Sequence, residues 1–240
     1  DYKWTNADNI VKDDSRAKNE YELMHNELSS YWEVDKTYHY DSGLDAVIFK
    51  TKSTFPFLPD GLVHVLAIRG THGSKDVQND AVIGLGQDPR QGWEIEEIIK
   101  DIGKREDIKN FYITGHSLGG YLTQRAVVKL HRLANEENGN YIDSIAEKYK
   151  NFYNNIFKKA TTFNAPKINA SILNRNLYNK SILSKKLAKQ GKIKHYGMSK
   201  DRVIGLLYND KDVLTYIDGG SHSSNSYFSA LLNDDDNFNI

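Results

Sequence analysis

The sequence of 240 residues contains no cysteine, and this absence excludes three kinds of chemistry. Without cysteine the chain has no disulfide bond, no thiolate nucleophile and no cysteine-ligated zinc site. An excess of one charge is also missing, since 32 lysine and arginine residues balance 32 aspartate and glutamate residues. Because a protein that binds nucleic acid usually shows a clear basic excess, we expect no nucleic-acid partner.

Long hydrophobic runs are absent as well. No apolar run approaches the roughly 18 residues of a transmembrane helix, so no membrane-spanning segment is predicted. Apolar residues nevertheless make up 39% of the chain and charged residues 27%, which allows a core and excludes disorder as the main state. The chain begins at Asp1, and we expect a processed product or a piece of a longer protein. A secreted protein is the expectation, with a cytoplasmic one as the alternative.

Strand-like and helix-like patterns alternate along the chain. Apolar runs predict strands over residues 46–51, 62–69, 111–114, 161–163 and 192–198. Apolar residues at helical spacing predict helices over residues 15–32, 93–108, 118–134 and 141–155. This alternation predicts right-handed crossovers and a mostly parallel sheet flanked by helices, in a single α/β domain spanning residues 1–240.

Two regions stand out by charge. Residues 167–192 form a lysine-rich and predicted helical insertion, and the basic run continues to Arg202 with Asp201 as its sole acidic residue. Such a run is either a solvated helix face or a surface that attracts anionic lipid. The acidic end, residues 233–240, is expected to be a tail or linker.

The residues that carry chemistry begin with Gly115-His116-Ser117-Leu118-Gly119-Gly120, which contains the pattern G-x-S-x-G. A short apolar strand precedes it and a predicted helix follows it, and this strand–turn–helix setting is what a nucleophile elbow requires. Ser117 would project from a sharp, strained turn whose neighbours must lack side chains. The N–H of Leu118, at the start of the helix, would donate to a developing oxyanion.

A serine nucleophile needs a histidine base and an orienting carboxylate, in the chain order Ser, Asp, His. Among the histidines after Ser117, His131 is expected on the surface and His195 inside a strand, which leaves His222 in a glycine-rich loop as the base. Two carboxylates remain candidates. Asp201 follows the predicted strand 192–198 and is preferred, whereas Asp212 lies nearer to His222 in sequence.

The second oxyanion donor must come from another loop at the same edge of the sheet. The apolar strand 62–69 is followed by Gly70-Thr71, where glycine allows close approach of the backbone and Thr71 offers an N–H and a hydroxyl. A plain glycine turn is the alternative reading of this segment.

Together these motifs resemble the class 3 lipases. The segment Ile68-Arg69-Gly70-Thr71 with Ser74, Asp76 and Asp80 is similar to the oxyanion loop of that family, and residues 114–120 to its nucleophile elbow. Residues 163–166 are similar to a segment in related bacterial lipase-like proteins. The resemblance implies an α/β-hydrolase fold with Ser117 as nucleophile, Thr71 and Leu118 as oxyanion donors and His222 as base. Its Asp-x-Val context is partly met by both Asp201 and Asp212.

The resemblance also implies a function. We expect a serine carboxylic-ester hydrolase that acts on lipid esters, as a lipase or a phospholipase A1, with no metal or organic cofactor. The substrate would be a lipid or phospholipid, and a membrane surface is a candidate partner. Residues 81–93 are either a lid over the pocket or a packed surface loop. The alternatives are an esterase for small or aryl esters and a catalytically inactive lipid- or protein-binding module of a larger chain.

Overall fold

The computed structural model of this chain describes residues 26, 28–53, 61–70, 89–135, 143–168, 174–201 and 212–218. Within these ranges seven strands form one sheet. The strands are β1 (Trp32–His39), β2 (Asp45–Thr51), β3 (Val63–Ile68), β4 (Asn110–His116), β5 (Phe157–Phe163), β6 (Ile193–Met198) and β7 (Leu214–Ile217). The helices are α1 (Arg90–Ile102), α2 (Leu118–Asn135), α3 (Asp143–Asn151), which continues into a π-helical turn (Phe152–Ile156), and α4 (Arg175–Lys189).

The order of the strands in the sheet follows their order in the chain, β1 to β7. β1, β2 and β3 pair antiparallel, and every pair from β3 to β7 is parallel. The carboxyl ends of β3 to β7 therefore meet at one edge, which we call the carboxyl edge, and their amino ends meet at the opposite amino edge. This topology confirms the predicted α/β class with a mostly parallel sheet.

The helices pack around α2. This helix contacts α1, α3 and α4, and it lies against β3, β4 and β5. Each parallel connection steps to the next strand in the same direction, so right-handed crossovers place their helices on one face of the sheet. Ile98 and Ile99 of α1, Leu122 of α2 and Leu177 of α4 are almost fully buried in this layer. The core beneath α2 is what holds the start of that helix at the carboxyl edge.

Several predicted elements differ from the structure at their ends. The helix predicted over 93–108 is α1, which begins at Arg90 and ends at Ile102. The helix predicted over 141–155 ends at Asn151 and gives way to the π-helical turn. The strand predicted over 161–163 begins four residues earlier, at Phe157. Exposed Lys158 and half-buried Lys159 explain this last difference, because two lysines interrupt the apolar pattern by which strands are recognised.

Two strands were not predicted from the sequence. β1 begins at Trp32, where the helix predicted over 15–32 was expected to end. Of that predicted helix, residues 28–31 are helical in the structure, and most of the rest lies outside the described residues. β7 has only four residues, LTYI, and Leu214 alone among them is buried. Within the described ranges both strands lie at the sides of the sheet and pair with one neighbour each, where the apolar pattern is weak.

The lysine-rich region is the crossover between β5 and β6. Its helix, α4, packs against α2 and β6, and its residue Lys180 is buried at 2% exposure. The Nζ atom of Lys180 lies 2.7 Å from Oε1 of Glu96, and Nε of Arg125 donates to the same oxygen at 3.0 Å. One of the predicted surface lysines thus belongs to a buried ion cluster that ties α1, α2 and α4 together.

Candidate active site

The turn between β4 and α2 carries Ser117. β4 ends at His116 and α2 begins at Leu118, so a single residue reverses the chain direction. Ser117 has φ of 54°, a left-handed conformation that a non-glycine residue adopts at a cost of about 1–2 kcal/mol. Its N–H donates to the carbonyl oxygen of Phe163 at 2.9 Å. Ser117 as a whole residue is half-buried, at the carboxyl edge.

Close backbone contacts explain the glycines around Ser117. A Cβ atom on Gly115 would lie 2.3 Å from the carbonyl oxygen of Gly119. A Cβ on Gly119 would lie 2.2 Å from the carbonyl oxygen of Ile68, and one on Gly120 would lie 2.4 Å from Cβ of Ala165. None of these positions has room for a side chain, because real Cβ contacts stay above about 3 Å. The glycines therefore let α2 start directly against the ends of β3 and β5.

The segment after β3 lies against the same turn. A Cβ on Gly70 would lie 2.7 Å from the carbonyl oxygen of His116 and 3.5 Å from Cβ of Ser117. Gly70 thus brings the chain to Ser117, and Thr71 is the next residue, although Thr71 itself lies outside the described residues. Leu118, the other predicted oxyanion donor, is the first residue of α2, where N–H groups have no acceptor within the helix.

Arg69, which precedes Gly70, is anchored to β2. Its N–H donates to the carbonyl oxygen of Asp45 at 3.0 Å, and its guanidinium forms an ion pair with the carboxylate of the same residue. The other oxygen of that carboxylate lies 2.6 Å from Nδ1 of His39 on β1. These contacts hold the start of the segment that leads to Thr71.

Asp201 lies at the carboxyl edge, in the turn that follows β6. It is buried at 5% exposure, and its N–H donates to the carbonyl oxygen of Met198 at 3.1 Å. β6 is separated from β4 by β5 alone, so Asp201 and Ser117 follow strands that end at the same edge.

Asp212 lies at the opposite edge. It precedes β7 by two residues, and its carboxylate is 3.8 Å from Nζ of Lys189 at the end of α4. Its side chain is 73% exposed. Because β7 is parallel to β4, a residue before β7 and a residue after β4 are separated by at least one strand length, roughly 13 Å for four residues. The structure does not bring Asp212 to Ser117.

The three candidate histidines have different surroundings. His195 lies in β6, is buried, and its Nδ1 is 2.7 Å from the hydroxyl of Thr162. Burial lowers the pKa of His195 to about 4, so it is neutral near pH 7, in keeping with the predicted structural role. His131, expected on the surface, is half-buried in α2 and packs edge-on against Tyr153. His222 lies outside the described residues, five residues after β7 ends at the carboxyl edge.

One residue with a geometric role was missed by the sequence analysis. Asn164 follows β5, is fully buried and has φ of 45°. Its side-chain oxygen accepts a hydrogen bond from the N–H of Met198 at 2.9 Å. The available signal was an asparagine directly after a strand and before Ala165-Pro166, since asparagine tolerates the left-handed region better than most residues.

The candidate lid, residues 81–93, overlaps the start of α1. Gly92 and Trp93, assigned to the candidate lid, belong to the first turn of α1, and residues 81–88 lie outside the described residues. The lid therefore stays a prediction.

Within the described ranges, no group of three or more histidine and carboxylate side chains is arranged to hold a metal ion. In the same ranges, no helix is both long and apolar enough to cross a membrane.

Solved structures similar to this chain include a lipase and a predicted hydrolase. One is the crystal structure of M37 lipase, with 12% identity and a TM-score of 0.40, covering 88% of this chain and 84% of that one. The other is a predicted CIB-like hydrolase from Thermoplasma acidophilum, with 11% identity and a TM-score of 0.35, covering 80% of this chain and 89% of that one. Both TM-scores are below 0.5, so the fold assignment relies on the topology of this chain. No curated protein matches the sequence.

A protein family does match. The Phospholipase-like family, described as a Tle-like phospholipase domain, matches residues 6–139, which is more than half of the chain. The matched range includes Thr71, Ser117 and Leu118 and ends before Asp201 and His222. It confirms a lipase-like family, while the narrower resemblance to class 3 lipases stays a prediction. The chain belongs to the Phospholipase-like family through its Tle-like phospholipase domain, and at the level of that family it is a lipid-ester hydrolase.

Proposed function

We propose that this protein is a serine carboxylic-ester hydrolase that releases acyl chains from phospholipids. The observation that carries the proposal is the conformation of Ser117, whose φ of 54° places it on a one-residue turn between β4 and α2. Such strain is retained where the surrounding structure holds it for a purpose, here the exposure of a hydroxyl at the carboxyl edge.

Asp201 is the proposed acid and His222 the proposed base. The position of Asp201 after β6 and its burial support the first assignment, because ligand and catalytic groups of parallel sheets gather at the carboxyl edge. The second is supported by the end of β7, which brings the chain to the same edge five residues before His222. The chain order Ser, Asp, His is the one expected for this kind of sheet.

The proposed reaction proceeds through an acyl-enzyme. His222 takes the proton of the Ser117 hydroxyl as the serine oxygen attacks the ester carbonyl, and the N–H groups of Thr71 and Leu118 stabilise the oxyanion. The C–O bond to the alcohol then breaks, and the imidazolium returns its proton to that alcohol. A water molecule, deprotonated by the same imidazole, attacks the acyl-enzyme and releases the fatty acid and Ser117.

The first experiment tests the nucleophile. Purified wild-type protein should react with a fluorophosphonate probe and release fatty acid from phospholipid, and Ser117→Ala should do neither. Ser53→Ala is a suitable control for replacement of a serine elsewhere, because Ser53 is exposed and follows the end of β2 at Thr51. Full activity in Ser117→Ala would refute the proposal, and so would a wild-type protein that neither labels nor hydrolyses any ester.

A membrane surface is the proposed partner, and α4 is the element proposed to contact it. Between Arg175 and Lys189 this helix contains no acidic residue. Its outward residues include Tyr178 and Ile182, which are 43% and 54% exposed. Exposed aromatic and aliphatic side chains among cations are typical of helices that lie at a lipid interface.

Trp93 of α1 extends this surface. Its side chain is 52% exposed, and Nζ of Lys180 lies 5.0 Å from the centroid of its ring. A groove of about 300 Å³ on α4 is lined in part by Arg132, Ile182 and Lys186. The combination of cations with apolar side chains favours anionic phospholipid over neutral glyceride as the surface that the enzyme meets.

Vesicle binding tests this part of the proposal. The protein should bind phosphatidylglycerol vesicles more tightly than phosphatidylcholine vesicles, and a double variant Lys185→Glu, Lys186→Glu should weaken anionic binding by about tenfold or more, at about 1 kcal/mol per charge near the surface. The matched control, Lys104→Glu with Lys109→Glu, reverses two exposed charges away from α4 and should change binding little. Equal binding to both vesicle types would contradict the anionic preference.

Substrate presentation separates the lipid enzyme from a small-ester esterase. A lipid-acting enzyme should show a jump in rate when a short-chain phospholipid passes from monomer to micelle. A rate that rises smoothly through the micelle concentration, with high activity on aryl esters, would favour the esterase alternative.

A further inference from the structure

Two non-glycine residues in the described part of the chain have positive φ, and they follow neighbouring strands. They are Ser117 after β4, at 54°, and Asn164 after β5, at 45°. The first is explained by the nucleophile elbow. The second is fully buried, and left-handed backbone costs about 1–2 kcal/mol even where asparagine makes it tolerable. The left-handed conformation of Asn164 therefore needs a compensating interaction.

The hydrogen bonds between β5 and β6 show what this conformation allows. The last paired residues are Phe163 and Tyr196, and the N–H of Asn164 continues the ladder by donating to the carbonyl oxygen of Tyr196 at 2.9 Å. In a regular parallel ladder the next bond would run from the N–H of Met198 to the main-chain carbonyl of Asn164. Here that N–H donates to the side-chain Oδ1 of Asn164 at 2.9 Å instead. The side chain thus replaces the main chain as the acceptor of the last hydrogen bond.

This bond joins the two halves of the proposed site. The N–H of Ser117 donates to the carbonyl oxygen of Phe163, the residue before Asn164, at 2.9 Å. Met198, held by the Asn164 side chain, accepts a hydrogen bond at 3.1 Å from the N–H of Asp201. A continuous path of hydrogen bonds and covalent bonds therefore runs from the elbow, through one buried side chain, to the turn that bears Asp201.

We infer that Asn164 is a positioning residue that sets the turn of Asp201 relative to Ser117, an inference that rests on the proposed function. Its left-handed backbone lets the chain leave the sheet after β5, and its Oδ1 keeps the end of β6 in place after that departure. Catalytic groups must be held to within about 0.5 Å, and a displacement of about 1 Å can lower the rate by about 100-fold. A single hydrogen bond at the strand end is well placed to control such a displacement.

The surrounding loop is fixed by a separate contact. Nε2 of Gln124 in α2 donates to the carbonyl oxygen of Pro166 at 2.8 Å, and Oε1 of Gln124 accepts from Ser184 of α4 at 3.3 Å. Loss of the Asn164 side chain should therefore leave the loop after β5 attached to the helix layer. The effect of a substitution at Asn164 is expected at the end of β6 and in the Asp201 turn.

Two substitutions separate the backbone conformation from the hydrogen bond. Asn164→Gly keeps easy access to positive φ and removes Oδ1, whereas Asn164→Asp keeps an oxygen acceptor and also tolerates the left-handed region. In phospholipid hydrolysis we expect the glycine variant to lose about 10- to 100-fold in kcat with little change in KM. The aspartate variant adds a buried carboxylate, and where it is folded it should retain a higher kcat than the glycine variant.

The pH profile distinguishes positioning from general stabilisation. A nearby carboxylate raises the pKa of the base histidine, so moving Asp201 away should shift the acidic limb of kcat/KM to lower pH, by roughly half to one unit. A variant that is merely less stable would keep the limb at its wild-type position at temperatures where it is folded. Circular dichroism and thermal unfolding identify that temperature range.

The outcomes are separable from those of the proposed function. If Ser117→Ala keeps wild-type activity, the hydrolase mechanism itself is wrong. If Ser117→Ala is inactive while Asn164→Gly has wild-type kcat and an unshifted acidic limb, the positioning role alone is overturned. Should the glycine variant fail to fold, Asn164→Ser replaces it, because its oxygen lies one bond closer to the backbone than Oδ1. A wild-type kcat with an unshifted acidic limb in that variant overturns the inference.

Discussion

Replacement of Asp201 by asparagine is the perturbation that most directly tests the proposed site, with Asp212→Asn as its matched control. Both changes remove one negative charge and keep the size of the side chain. Asp201 is 5% exposed at the carboxyl edge, whereas the side chain of Asp212 is 73% exposed at the amino edge. The two variants therefore compare loss of a carboxylate at the carboxyl edge with the same loss at the amino edge.

The expected magnitudes differ by several orders. If Asp201 orients the histidine and stabilises its cation, Asp201→Asn should lower kcat by about 10⁴, or about 5.5 kcal/mol of transition-state stabilisation. Asp212 acts from at least a strand length away, roughly 13 Å, and the Debye length at physiological ionic strength is about 8 Å. Its charge is also partnered by Lys189, so Asp212→Asn should change kcat by less than about twofold.

The assay is release of fatty acid from phospholipid, with the rate of fluorophosphonate labelling of Ser117 measured alongside it. Labelling should slow in Asp201→Asn because the nucleophile is less activated, while thermal unfolding shows whether each variant is folded. Equal losses in the two variants, or a larger loss in Asp212→Asn, would refute the reasoning that the carboxyl edge selects the acid.

Three further predictions concern stability. Gly119→Ala should abolish activity and lower the melting temperature, because its Cβ would lie 2.2 Å from the carbonyl oxygen of Ile68; an unchanged melting temperature would contradict the close packing. Glu96→Gln should destabilise the fold by about 3–5 kcal/mol in urea unfolding, since it leaves buried Arg125 without its carboxylate. Burial raises the pKa of Glu96, but Arg125 and Lys180 lower it more, so the pKa of the folded protein is lowered. The ionised Glu96 carboxylate therefore stabilises the fold above its unfolded pKa, and this contribution is lost as the pH falls through the folded pKa. The pKa of His195 is lowered by burial from 6.5 to about 4. Because the unfolded chain binds a proton at this residue before the folded protein does, about 3 kcal/mol of stability should be lost between pH 6.5 and 4. A His195→Gln variant should show a flatter pH dependence in the same unfolding assay.

The sequence alone was sufficient for the elements whose signal is local. The apolar run of β3, the elbow around Ser117 and the amphipathic helix α2 are determined by side-chain periodicity and by glycines at fixed spacing. These features predicted the α/β class and the nucleophile, and they lie within residues 6–139, the range that the phospholipase family matches. Composition alone excluded thiolate and disulfide chemistry, because the chain has no cysteine. Balanced charge led to the prediction that nucleic acid is not a partner.

Only the tertiary structure decided which distant residues share an edge of the sheet. Asp201 and Asp212 stand in similar sequence contexts, and their separation to opposite edges follows from the parallel pairing of β6 and β7. The burial of Lys180 and the hydrogen bond from Met198 to Asn164 likewise depend on segments far apart in the chain. Local patterns report propensity and periodicity, whereas strand order and burial arise from packing of the whole chain. The proposed site depends on the second, because Ser117 and Asp201 meet at one edge only through the parallel pairing of β4, β5 and β6.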